Sequence, residues 1–145
     1  MKEYPWGKGT PSFVYDGSLN DSDKSFATPA GKYRLIKAIY ASFVSTATVG
    51  NRILTIEVTN AAGTEVYWRA QSVSIAASQT RYIHAGAVPM AVVSAFGGNN
   101  SVYYEMSVPE LILSPGEILR VYDSGTIDVA ADDMIVAINL VEYDA

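Results

Sequence analysis

The 145-residue chain contains no cysteine and a single histidine, His84. Without cysteine there are no disulfides, no thiolate zinc sites and no cysteine nucleophile, so the core holds together without covalent staples. With one histidine, a His-based metal cluster or a Ser-His-Asp relay has only His84 to draw on. A lone histidine inside a β-pattern reads first as a structural or surface residue. The chain also lacks a G-x-S-x-G elbow, a P-loop and an H-E-x-x-H pair.

Positive charge is scarce as well. Ten Lys and Arg face fifteen Asp and Glu, a formal charge of −5, and the basic residues are scattered singly. Nucleic-acid binding rests on clustered cations that neutralise phosphates, so no nucleic-acid partner is expected. No segment approaches the roughly 20 apolar residues of a membrane span. The opening "MKEYPWGKGTPSF" carries no apolar stretch of the kind a signal peptide needs. The expectation is a soluble product, made in a cytoplasm and without a membrane partner.

What the chain does have is 49% hydrophobic residues and ten tyrosines against 17% charged residues, which favours an ordered, strand-rich domain. Its length suits one domain. Residues 1–31 stand apart: they hold three of the six prolines, with Gly7, Gly9, Gly17 and Gly31, and read as an extended N-terminal arm. Trp6, Phe13, Val14, Tyr15 and Phe26 on that arm need a surface to lie on, and Trp6, Phe13, Tyr15 and Phe26 are its candidate interface residues.

From residue 32 onward alternation dominates. In "NRILTIEVTN" Leu54, Ile56 and Val58 point one way and Thr55, Glu57 and Thr59 the other. Asn60 and Gly63 then mark a turn before "VYWRA", so residues 51–70 read as a hairpin. Further strands are expected at 80–85, 101–108, 117–123 and 134–143. "KYRLIKAIYASFV" fits helical spacing and alternation alike, and the β-branched run after it decides for a strand. The last strand has two apolar faces, Met134, Val136, Ile138 and Leu140 opposite Ile135, Ala137 and Val141, and so reads as central and covered on both sides. The whole predicts an all-β protein: a β-sandwich of jelly-roll-like topology over 32–145, preceded by the arm.

Two acidic clusters invite a chemical reading. Asp123, Asp128, Asp132 and Asp133 lie within "YDSGTIDVAADD", and Asp16, Asn20, Asp21 and Asp23 within "DGSLNDSDK". Neither has the spacing of a calcium loop, and both read as solvated turn acids, so no metal is expected. Trp68 with Tyr67, Tyr82, Tyr103 and Tyr104 offers flat apolar rings for sugar stacking, although cross-strand packing is the plainer reading. "AFGGNNS" at 95–101 is a loop tip, not a phosphate cradle.

Three stretches in order, the Pro/Gly arm, "GKYRLIKAIYASFVSTATVGNRILTIEVTNAAGTEVYW" and "LILSPGEILRVYDSGTIDVAADDMIVAINLVEY", resemble the small jelly-roll head-decoration or cement proteins of tailed bacteriophages, over about residues 32–143. The resemblance implies a non-enzymatic virion protein without cofactors, made in the host cytoplasm. It implies further a homotrimer on the capsid exterior, bridging subunits of the major capsid protein lattice with its arm. Two rival readings stand beside it: a carbohydrate- or receptor-binding module of a phage tail or fibre, with Tyr67 and Trp68 as the platform, and a small hydrolase using Asp132 and Asp133.

Overall fold

The computed structural model describes residues 7–86 and 103–145, and every regular element among them is a strand. In chain order these are β1 (Thr10–Asp16), β2 (Asp23–Ala27), β3 (Lys32–Val44), β4 (Leu54–Thr59), β5 (Val66–Gln71), β6 (Thr80–Gly86), β7 (Tyr103–Ser107), β8 (Leu111–Leu113), β9 (Ile118–Asp123) and β10 (Asp133–Asp144). One sheet runs β1-β10-β3-β6-β7, with β8 beside β3, and the other runs β2-β9-β4-β5. Only β6 and β7 pair in parallel; the other pairs are antiparallel. The two sheets pack as a β-sandwich.

The pairs are nested. β1 lies with β10, β2 with β9, β3 with β6 and β4 with β5, successive pairs falling in alternate sheets. These four pairs follow one another as a long hairpin does, closed by the β4–β5 turn and laid alternately in the two sheets. At that turn Asn60 Oδ1 accepts from the amide of Thr64 at 2.9 Å and Gly63 takes a positive φ of 69°, as its Asn and Gly predict.

Residues 1–31 were expected to form a separate arm, but residues 10–27 supply one strand to each sheet. β1 pairs with β10 along its whole length, and β2 pairs with β9. Phe26, expected at an interface, is a core side chain, 8% exposed. Broken by Pro and Gly, the segment looks too irregular for a sheet, but its two strands are short and both lie at sheet edges, where Pro11 removes no hydrogen bond from an inner ladder.

The core takes Ile36, Ile39, Ala41 and Phe43 from β3, Ile83 and Ala85 from β6 and Met134, Val136, Ile138 and Leu140 from β10. Facing them are Phe26, Leu54, Ile56, Val58, Leu119 and Val121 of the second sheet. Burying each of the larger side chains is worth about 1.5–3 kcal/mol. A β-bulge explains the double periodicity of β3: Asn139 pairs with Ala38 and Leu140 with Ile36, so Lys37 has no counterpart. The phase shifts there, which brings both Ile36 and Ile39 into the core and produces a spacing that looks helical.

Candidate functional site

The acids near the C-terminus do not converge on one site. Asp132 lies wholly buried against Arg52, accepting from its Nε at 2.9 Å and its Nη2 at 3.2 Å. The remaining guanidinium bonds go to the carbonyls of Thr48 and Gly50 and to Thr46 Oγ1, at 2.7, 3.0 and 3.1 Å. All five donors are thereby used. Asp128 accepts from the hydroxyls of Thr46 and Thr48 at 2.6 and 2.8 Å, and these two bonds hold its carboxyl below the usual carboxylate range.

Asp123 is 2% exposed and gathers the amides of Ile53, Gly125 and Ile127. Asp133 accepts from the amide of Asn20 at 2.7 Å. The expectation of solvated turn acids thus fails for Asp123 and Asp132, because each has donors enough inside the fold to offset its lost hydration.

The N-terminal cluster is likewise a structural tie. Lys24, whose side chain is fully buried, gives its three ammonium donors to Asp16 Oδ1 at 3.2 Å, Asp21 Oδ2 at 3.1 Å and the Ser18 carbonyl at 2.8 Å. The 17–22 loop therefore folds around a cation that the sequence shows only as one lysine among acids. Among the described residues, no group of three or more His, Asp or Glu side chains is placed to hold a metal ion.

The two outer sheet faces differ in kind. On the β2-β9-β4-β5 sheet the exposed side is laced with charge. Arg120 Nε donates to Asp23 at 2.7 Å and its guanidinium lies 4.0 Å over the Tyr122 ring. Arg69 Nε donates to Glu57 at 2.8 Å, and the Tyr122 hydroxyl donates to the same oxygen at 3.0 Å. Burial, then the bond to Glu57, pushes the Tyr122 phenol up. The charged groups of this network satisfy one another within the chain.

The outer face of the other sheet is aromatic. The register sets Tyr15, Ala137, Tyr40 and His84 in one row, Phe13, Asn139, Ala38 and Gly86 in the next, and Ile135, Ser42 and Tyr82 on the far side. These positions alternate with the core residues of β10, so their side chains point outward. Across β1, β10, β3 and β6 these rows hold no Asp, Glu, Lys or Arg, and on β7 the exposed Glu105 continues the first row beside His84. Phe13 is 59%, Tyr15 58%, Tyr40 44% and Tyr82 41% exposed. The Phe13 and Tyr15 rings lie nearly parallel with centroids 6.3 Å apart, and Tyr40 stacks on His84 at 4.4 Å. A Cβ at position 17 would come within 2.3 Å of the Tyr15 phenol oxygen, so Gly17 leaves the room in which that ring lies.

Of the residues singled out in the sequence, Phe13 and Tyr15 meet on this face, and His84 joins Tyr40 there. Trp6 and the 95–101 loop lie outside the described residues. Tyr67 is exposed at a bulge in the β4–β5 pairing, whereas Trp68 packs against the core, so the two rings do not form one platform. Tyr40 was missed. Its signal was the i, i+2 series Tyr40, Ser42, Val44, hidden by the phase shift at Lys37. A contiguous aromatic surface of this kind offers apolar area suited to contact with another macromolecule. In comparisons with known proteins, no family model, no curated protein and no solved structure matches this chain.

Proposed function

We propose that this chain is a non-enzymatic virion structural protein that decorates the outside of a tailed-bacteriophage capsid, with the aromatic outer face of the β1-β10-β3-β6 sheet as its contact surface. The observation that carries the reading is the contrast between the two faces. One has its charges paired within the chain, and the other leaves Phe13, Tyr15, Tyr40 and Tyr82 half in solvent. Tyrosine is among the residues that dominate binding energy at protein contacts, since it adds much apolar area for two rotatable bonds. The family resemblance of the sequence supplies the lattice.

The mechanism is linkage. A protein that binds the assembled lattice and not its free subunits shifts the disassembly equilibrium by the free energy of that binding. The rigidity needed to bridge neighbouring subunits comes from the ties at one end of the sandwich, where Arg52, Lys24 and Asp123 hold three loops in place.

Co-sedimentation with heads of the encoding phage, stripped of their decoration, tests the reading. The native chain is expected in the pellet, and Tyr15→Ala with Tyr40→Ala weakens its binding roughly tenfold or more. A native chain left in the supernatant, or a double variant that binds as the native does, contradicts it.

A further inference from the structure

A sheet edge presents unpaired amides and carbonyls, and natural sandwiches blunt it with charge, bulges or brevity. Among the described residues this protein has five edges, and four are blunted. β2 carries Asp23 and Lys24 side by side; β5 carries Arg69 and lies across the bulge at Val58 and Thr59; β7 carries Glu105; β8 is three residues long. β1 differs. No described strand pairs with its far edge, it makes no bulge with β10, and its blunting residues stand near its ends, Pro11 at the second position and Asp16 at the last, leaving Ser12 to Tyr15 between them without charge or proline.

We propose that two copies of this chain join through β1, antiparallel, about a two-fold axis at Val14. The sequence selects the register. With Val14 opposite its own copy, Phe13 faces Tyr15 of the second chain and Tyr15 faces Phe13, giving two aromatic cross-strand pairs on the outer face. Ser12 then stands opposite Asp16, a hydroxyl against a carboxylate. Pro11, which has no amide to give, falls at the end of the ladder opposite Gly17.

The neighbouring registers are worse. An axis at Phe13 brings Pro11 inside the ladder against Tyr15, and an axis at Tyr15 sets Asp16 against Val14. An isologous contact needs a strand that complements itself when reversed, and Ser12–Asp16 does so without opposing like charges. The contact is main-chain strand addition, with side-chain pairs fixing the register.

The join merges two aromatic faces into one surface with Phe13 and Tyr15 of both copies at its middle. It goes beyond the decoration reading and is independent of which lattice that surface meets. It puts a two-fold contact where the family resemblance implied a three-fold one.

Because the chain has no cysteine, Val14→Cys introduces one thiol per copy, and directly opposed positions of an antiparallel pair lie within disulfide range. Mild oxidation is expected to link Val14→Cys into a covalent dimer, and a Lys8→Cys control is expected not to link. In sedimentation at micromolar concentration the native chain is expected at twice the chain mass. Phe13→Lys is expected at the chain mass with unchanged circular dichroism, and Tyr67→Lys is expected to remain a dimer. A native monomer, a dimer that survives Phe13→Lys, or a dimer whose Val14→Cys form does not cross-link overturns the proposal.

Discussion

Arg52 and Asp132, eighty residues apart in sequence and both without exposed side-chain surface, form a two-point ion pair that joins the loop before β4 to the loop before β10. Removing either partner strands the other charge in the interior. Asp132→Ala is therefore expected to destabilise the fold by about 3–5 kcal/mol in urea unfolding. Because both residues serve one network, the Arg52→Ala, Asp132→Ala double variant should fall short of the summed single losses by roughly 0.5–3 kcal/mol. Additive losses would mean that the two side chains do not act as a pair.

Asp128 and Asp16 both hold their protons less tightly in the folded chain, Asp128 through the hydroxyls of Thr46 and Thr48, Asp16 chiefly through the Ser18 amide. A folded value below the unfolded one, about 3.9 for aspartate, means that the unfolded chain takes up protons first as pH falls. Their stabilisation is complete above that unfolded value and is lost as pH drops through the folded ones. The melting temperature should fall on acidification below about pH 5. Thr48→Val, which removes one donor to Asp128, should make that fall shallower. An unchanged slope would show that the hydroxyl bond does not hold the carboxylate.

Two phenylalanines of the N-terminal segment separate packing from display. Phe26 fills the core and Phe13 stands on the outer face. Phe26→Ala is expected to cost about 3–5 kcal/mol in chemical denaturation, and Phe13→Ala, compared with the native chain at a dilution where both are monomers, to stay within about 0.5 kcal/mol. Equal costs would put both rings in the same environment, contrary to the register of β1 and β2.

Deleting residues 1–30 removes β1 and β2 together and leaves the far edges of β10 and β9 unpaired. The truncated chain should therefore lose its cooperative thermal transition. A folded domain that merely loses its contacts is the outcome expected of a free arm, and near-native circular dichroism of the truncated protein would reinstate it.

The sandwich was legible because alternation of apolar and polar residues marks a strand, as in Leu54–Thr59, where Thr55, Glu57 and Thr59 lie opposite the core side chains although they too are buried, and because the turn at Asn60–Gly63 is written in residues suited to it. β1 and β2 were hidden by the same chemistry that suits them to sheet edges: a proline, flanking glycines and short length. The two-sided apolar pattern of β10 did forecast a central strand, and its outer row, Ile135, Ala137 and Val141, is half covered by the neighbouring strands. The acids were misjudged because the sequence does not show which distant donor an aspartate will meet; Arg52 lies eighty residues from Asp132. The aromatic face could not be seen either, since Phe13, Tyr15, Tyr40 and His84 come from three strands that only the fold brings side by side.

Hydroxyl-radical footprinting of the native protein on phage heads tests the central claim most directly, because every ring concerned is exposed when the chain is free. Bound protein should show Phe13, Tyr15 and Tyr40 protected while Tyr67, on the other sheet, reacts as in the free chain. Protection at Tyr67 with Phe13, Tyr15 and Tyr40 still reactive would contradict the assignment of the aromatic sheet face as the contact surface.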